Sequence, residues 1–163
     1  MEISAAGAAK QIKNANRILI LTHHNPDGDT LGSAFGLQRA LDRLEKQSVV
    51  LCSDPFPAKF SYFTENRELD FEPDLIVAVD IADTQLLGEN LFSYADRVDL
   101  CIDHHLSNTH YAKELCLSVK AAATAEIMVE IIKDMGLSLS PEISDPLYTG
   151  IATDTGCFKF SNT

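Results

Sequence analysis

Four of the five histidines in this 163-residue chain stand as two adjacent pairs, His23-His24 and His104-His105, and both pairs have aspartates beside them. The first pair opens the run His23-His24-Asn25-Pro26-Asp27-Gly28-Asp29, with Gly32-Ser33 shortly after; the second closes Asp103-His104-His105, with Asn108 following. Asp80 ends an apolar run, and Asp154 lies inside Gly150-Ile151-Ala152-Thr153-Asp154-Thr155-Gly156. Carboxylates brought together repel and raise one another's proton affinity unless a cation sits among them. Aspartate, imidazole and water suit manganese, or magnesium, better than they suit metals that favour thiolate, and a set this rich in aspartate suggests two divalent ions sharing a bridging carboxylate. Ion pairs of this kind lie about 3.5–4 Å apart and clamp the attacking and leaving oxygens of a phosphoryl displacement, so hydrolysis of a phosphoester is the chemistry expected. Taken singly, Pro26-Asp27-Gly28 is an ordinary turn and an aspartate closing a strand is an ordinary helix cap. The argument for a site is their recurrence.

Residues so far apart in sequence can meet only if the fold delivers them to one edge. Arg17–Thr22, Ser48–Ser53, Leu75–Asp80 and Val98–Asp103 are short, continuously apolar runs that read as buried strands. Between and after them, helical spacing is expected over residues 3–16, from Leu31 to Lys46, from Leu86 to Ala95, from Ala123 to Met135 with Gly136 as its stop, and from Pro141 toward Thr153. Alternation of this kind predicts an α/β fold, a mostly parallel sheet with helices on both faces. In such sheets ligands bind at the carboxyl ends of the strands. The first of these runs leads into His23–Asp29, the third ends at Asp80, and the fourth ends at Asp103-His104-His105, so all three would open on the same edge.

Composition narrows the partners. At 45% apolar and 23% charged, the chain has the make-up of one ordinary folded domain, without repeats or a low-complexity linker. Thirteen Lys and Arg against 24 Asp and Glu leave a formal charge of −11, which opposes tight binding to long duplex DNA but leaves room for small phosphorylated substrates held by a metal. No run approaches the roughly 18 apolar residues of a membrane span, and the N-terminus lacks a basic-then-apolar leader. A cytoplasmic protein with no membrane partner is expected. Cys52, Cys101, Cys116 and Cys157 form no Cys-x-x-Cys pair and read as buried, reduced thiols. A homodimer is compatible with the sequence without being required by it.

At these residues the sequence resembles the DHH phosphoesterase superfamily, which includes RecJ-type exonucleases, nanoRNases with phosphoadenosine-phosphate phosphatase activity, exopolyphosphatases and manganese-dependent pyrophosphatases. Four motifs carry the resemblance in order over nearly the whole chain: His23 to Asp29 with Gly32-Ser33, Asp80, Asp103-His104-His105 with Asn108, and Gly150 to Gly156. The resemblance implies a Rossmann-like domain with one metal held by His23, Asp27 and Asp80, and a second held by Asp29, Asp80, His104 and Asp154. It implies that His105 faces the substrate phosphate, that Asn108 lies with it on the substrate side, and that Asp103 orients a metal-binding imidazole. His24 sits between ligands with no assigned role, and His110 reads as a surface residue. Asp83 reads as a helix cap or as support for a ligand, and Thr124 with Glu126 reads as a helix start.

Two departures from the family pattern bear on function. Leu86 and Leu87 stand where many nanoRNases carry an arginine, and the chain ends at Thr163 without the glycine-rich loop of the family's DHH-associated substrate-binding domain. Residues 1–163 therefore read as a truncated DHH catalytic domain, expected to bind metal and turn over weakly alone, with Phe158-Lys159-Phe160 as the start of another strand. The leading expectation is a metal-dependent phosphoesterase acting on short oligonucleotides or small phosphorylated nucleotides. The alternatives are an inorganic pyrophosphatase or exopolyphosphatase, and a non-catalytic nucleotide-binding module.

Overall fold

The four apolar runs become β1 (Arg17–Leu21), β2 (Gln47–Leu51), β3 (Leu75–Val79) and β4 (Leu100–Asp103), and a fifth strand, β5 (Glu114–Leu117), joins them in a computed structural model that describes residues 1–163. They form one sheet in the order β2-β1-β3-β4-β5, and every pairing is parallel. Successive side chains of a strand point to opposite faces, so a strand covered on both sides must be apolar at every position. Ile18, Ile20, Val77, Val79, Leu100 and Ile102 point into the larger core, which contains α1 (Ala5–Asn14), α2 (Gly28–Arg43), α3 (Thr124–Asp134) and α4 (Pro141–Asp154). Leu19, Leu21, Ile76, Ala78 and Cys101 point the other way, onto Ile81, Leu87, Leu91 and Ala95. Helical segments thus cover both faces, but unequally: four α-helices on one, and 3₁₀ turns at Thr84–Leu87 and Phe92–Arg97 on the other.

Several boundaries differ from the sequence expectation, each for a local reason. The single helix expected from Leu86 to Ala95 is broken at Gly88, whose φ of +73° ends the first 3₁₀ turn. Leu87 and Ala95 are still buried, so the apolar spacing was real although the conformation differs. Helix α2 starts at Gly28 rather than Leu31, because the Asp27 carboxylate accepts the N–H groups of Asp29 and Thr30 at 3.0 and 3.1 Å. Its first turn carries polar residues, so apolar periodicity begins only inside the helix. The strand expected at Phe158–Phe160 is absent: Gly156, Cys157 and Phe158 all have left-handed φ (+56°, +54° and +63°), and the N–H groups of Lys159 and Phe160 turn back onto the Thr155 carbonyl. Cys101 and Cys116 are buried in β4 and β5, whereas Cys52 is half-buried and Cys157 is exposed, correcting the expectation of four buried thiols. No helix is long and apolar enough to cross a membrane.

The chain leaves β1 for β2 on one side and then returns to place β3 on the other. Loops after β1 and β3 therefore diverge, opening the crevice where parallel α/β sheets hold ligands. Helix α4 reaches that crevice because it lies almost backbone to backbone on α2. A Cβ on Gly32 would stand 2.3 Å from the Pro146 carbonyl oxygen and 2.9 Å from the Gly150 nitrogen. Gly32→Ala is accordingly expected to cost about 1–3 kcal/mol through overpacking, read as a lower urea midpoint. A parent-like midpoint would show that α2 and α4 can part freely.

Candidate metal centre

Loops following β1, β3 and β4 bring the ligand candidates together at the carboxyl edge of the sheet. His23 Nε2 stands 3.6 Å from Asp27 Oδ1 and 3.7 Å from Asp80 Oδ2. On the other side of Asp80, His104 Nε2 stands 3.8 Å from Asp80 Oδ1, 3.9 Å from Asp29 Oδ2 and 3.7 Å from Asp154 Oδ2. These separations are too long for hydrogen bonds, yet atoms sharing a cation at about 2.1 Å lie roughly 3–4 Å from one another. The other ring nitrogen of each imidazole is taken: His23 Nδ1 lies 2.7 Å from the His24 carbonyl, and His104 Nδ1 lies 3.2 Å from the Ala121 carbonyl. A ring that donates from Nδ1 keeps its Nε2 lone pair, which is the arrangement of a metal ligand held by a carbonyl behind it. The donor chemistry therefore fits divalent cations at His23–Asp27–Asp80 and Asp29–His104–Asp154, with Asp80 between them, and His105 joins Asp80 and His104 in a third, overlapping group.

The backbone supports this placement. Asp80 is a buried non-glycine residue with φ +60°, a conformation that costs about 1–3 kcal/mol and turns the chain sharply at the end of β3. Its N–H bonds the Ile102 carbonyl at 2.9 Å, which ties the turn to β4. Thr30 Oγ1 donates to the Val79 carbonyl at 3.0 Å, fastening the first turn of α2 to the residue before Asp80. Asp29 is held differently: its two oxygens accept the Thr124 and Ala125 N–H groups at 2.7 and 2.9 Å, capping α3 from α2.

Burial, and then the charge of Asp80, push the Asp29 carboxyl well above the ordinary range, against the pull of the Ala125 and Thr124 N–H groups. Asp80 is raised by burial and then by the charge of Asp27, and Asp154 is raised chiefly by burial. Burial also works against the charged forms of His23 and Asp27, but their mutual contact outweighs it, so His23 is raised and Asp27 lowered.

Asp103 holds an imidazole, and Asn108 is buried behind it. Asp103 Oδ1 accepts the His104 and His105 N–H groups and meets His105 Nδ1 at 2.8 Å, while Oδ2 accepts Asn108 Nδ2 at 2.7 Å. The imidazole it orients is thus His105, which with Asp80 and His104 makes a third group able to hold a cation. Burial opposes a charged Asp103, but the hydrogen bonds from His105 and Asn108 hold its pKa down. His105 is pushed up to about 9, first by the bond to Asp103 and, against burial, by the charge of Asp80. Asn108 is buried, its amide shared between Asp103 and the His110 N–H, which removes it from the substrate side. Asp83 is a cap, accepting the Gln85 N–H at 2.8 Å. His24 is bound to the Leu86 carbonyl, and His110 lies exposed near Glu2.

Sequence reasoning missed Thr124 as part of the site. Its hydroxyl donates to Asp80 Oδ1 at 2.8 Å and its N–H to Asp29, so one residue touches two carboxylates of the cluster. The available signal was negative: Ala121-Ala122-Ala123 precede α3, and none carries a side-chain oxygen to cap it.

A model of the DHH family, N-terminal domain, matches residues 17–151. The chain is 34% identical over 154 residues to the bifunctional oligoribonuclease and PAP phosphatase NrnA of Thermus thermophilus, covering 90% of this chain and 45% of that protein. It is 27% identical over 153 residues to the protein of the same name from Bacillus subtilis, with 90% and 48% covered. Among solved structures, an exopolyphosphatase-related protein from Bacteroides fragilis matches with a TM-score of 0.86 at 26% identity, over 98% of this chain and 52% of that one. The chain spans about half the length of the curated relatives it matches.

Between pH 5.5 and 8.5 the raised groups give a pH dependence of one sign, because the lowered carboxylates Asp27 and Asp103 titrate only in more acid solution. Asp29 and Asp80, raised in the folded state, hold protons there that the unfolded chain has released above its value of about 4, so stability falls as pH rises through their folded pKa values. His23 and His105 are also raised, so the stability they contribute is full below the unfolded value of about 6.5 and is lost as pH climbs through their folded values. The metal-free protein should therefore melt at lower temperature at pH 8.5 than at pH 5.5. Manganese needs deprotonated ligands, so the rise in Tm it produces should grow over the same interval. Paired thermal melts with chelator and with manganese check this; a metal effect of equal size at both pH values would contradict the assignment of ligands.

Proposed function

The chain belongs to the DHH family, and on that premise we propose that it is a divalent-metal-dependent phosphoesterase of short oligonucleotides and small phosphorylated nucleotides of the phosphoadenosine-phosphate type. The observation that carries this reading is Asp80, whose two oxygens face two separate imidazoles, His23 and His104, each with further carboxylates around it. His23, Asp27 and Asp80 would hold one cation, and Asp29, Asp80, His104 and Asp154 the other, with manganese preferred and magnesium an alternative. When bound, the pair supplies charge neutralisation on the phosphoryl group and lowers the pKa of water enough for hydroxide to be available near neutral pH.

The chain's own residues account for the rest. His105 is half-exposed at the rim, with Nδ1 engaged by Asp103 and Nε2 free to donate. The bond from Asp103 favours the protonated ring, so His105 can donate to a phosphoryl oxygen as negative charge builds there. Asp103 keeps that ring in place, and Asn108 keeps Asp103 in place. A formal charge of −11 favours short substrates engaged at one phosphate over long duplex DNA. The two NrnA relatives are named for oligoribonuclease and PAP phosphatase activities, which act on substrates of this size. The exopolyphosphatase-related neighbour supports a second reading, hydrolysis of polyphosphate or pyrophosphate at the same centre.

Release of mononucleotide from a diribonucleotide, and of phosphate from phosphoadenosine phosphate, pyrophosphate and polyphosphate, separates the readings when each is assayed with manganese, magnesium or chelator. Metal-dependent cleavage of the nucleotides is expected. Phosphate release confined to pyrophosphate or polyphosphate would replace the first reading by the second, and metal-independent nucleotide binding without turnover would sink both. His105→Ala should lower kcat by about 10²–10³-fold while leaving the manganese-induced rise in Tm in place. Loss of that thermal response in His105→Ala would instead assign His105 to the cation groups.

A further inference from the structure

We propose that Thr124 is a positioning residue that fixes how Asp80 divides its two oxygens between the two cation groups, an inference that rests on the two-cation reading above. A carboxylate can serve two sites only if its plane is held so that one oxygen faces each. Rotation about its last bond would swing one oxygen out of reach of its imidazole. In this structure Oδ2 faces His23 and Oδ1 faces His104.

The Thr124 hydroxyl, 2.8 Å from Oδ1, is the single hydrogen-bond donor to the Asp80 side chain. Nothing else supplies that restraint: His105 Nδ1 comes within 3.6 Å of Oδ1, but the same nitrogen is engaged by Asp103 at 2.8 Å. Thr124 itself cannot drift. It is fully buried, it opens α3, and its N–H is bonded to Asp29 Oδ2 at 2.7 Å. In a helix interior a threonine hydroxyl commonly bonds a carbonyl in the preceding turn. At the first residue of α3 there is no such turn, so the hydroxyl is available to reach across to β3. The branched side chain adds a χ1 preference that a serine lacks.

Removing a group that orients a metal ligand typically costs 10–100-fold in metal affinity. Thr124→Val keeps the shape and the backbone bond to Asp29 but deletes the hydroxyl; Thr124→Ser keeps the hydroxyl. On the chelator-stripped chain, calorimetric titration with Mn²⁺ reads stoichiometry and affinity, and electron paramagnetic resonance at two equivalents reads whether the two ions are coupled. The parent and Thr124→Ser are expected to bind two ions and give a coupled spectrum. Thr124→Val is expected to bind the second ion at least about tenfold more weakly and to show an uncoupled spectrum. Thr124→Ala, with less bulk to place against Asp80, makes the same deletion should the valine variant fail to fold, as judged by circular dichroism of the metal-free protein. Parent-like affinity and coupling in the folded deletion variant would overturn the role of Thr124 while leaving the two-cation centre standing. Absence of coupling in the parent would overturn the centre itself, and this inference with it.

Discussion

A buried carboxylate of one helix caps another helix, and most of the molecule's organisation follows from it. Asp29 sits in the first turn of α2, yet its oxygens receive the first N–H groups of α3. Helix α3 has alanine at its own N-cap position and no side-chain cap there, so without Asp29 its N-terminal donors would be buried without a partner. In the other direction, the N–H groups of Thr124 and Ala125 and the positive end of the helix dipole pull against the burial that raises the Asp29 carboxyl. Packing of α2 against α3 and presentation of a candidate metal ligand are therefore one interaction. Asp27 repeats the device one turn earlier, capping α2 with the same oxygen that faces His23.

The remaining ligands reach this point because of how closely the backbone packs. Gly32 lets α4 lie on α2, and Gly150 lets α4 pass Asp29: a Cβ there would stand 2.7 Å from the Ala125 Cβ and 3.1 Å from Asp29 Oδ1. That proximity carries Asp154, at the end of α4, to His104. The resulting centre is graded from floor to rim. Asp29 and Asp80 side chains are 1% and 3% exposed, whereas Asp27 is 58% and His105 44% exposed, so the centre opens to solvent on the side of His105 and Asp27. His105, at that opening, is the ring that Asp103 holds.

Much of this was legible in the sequence because two signals there are strong. Continuous apolar runs mark strands buried on both faces, and three of the four delivered the candidate ligands at their carboxyl ends. His23, Asp27 and Asp80 in one group, and Asp29, His104 and Asp154 in the other, meet in the grouping that the resemblance implied. What stayed hidden depended on partners distant in sequence. Asn108 is polar and close to the two histidines, but whether its amide faces solvent or Asp103 is decided by the burial of β4 and the loop behind it. Thr124 reads locally as a helix start; its hydroxyl matters because β3 ends beside it, which no spacing within residues 120–126 records. The start of α2 was misplaced because apolar periodicity detects the packed part of a helix and is blind to a first turn given over to ligands.

These features also explain why strain collects where it does. Asp80 in a left-handed conformation and two buried carboxylates, Asp29 raised further by Asp80 and Asp80 by Asp27, work against the fold, and the neighbouring imidazoles offset this only in part. The compensation is spread over the scaffold: two hydrophobic cores, on either side of one sheet, hold the strand ends at a fixed spacing, and two helix N-termini face the carboxylates. A scaffold that can carry this load without a cation has its ligands already in place when one arrives. The free energy of cation binding is then available for relieving repulsion instead of ordering loops, and that is the physical sense in which the centre is preorganised.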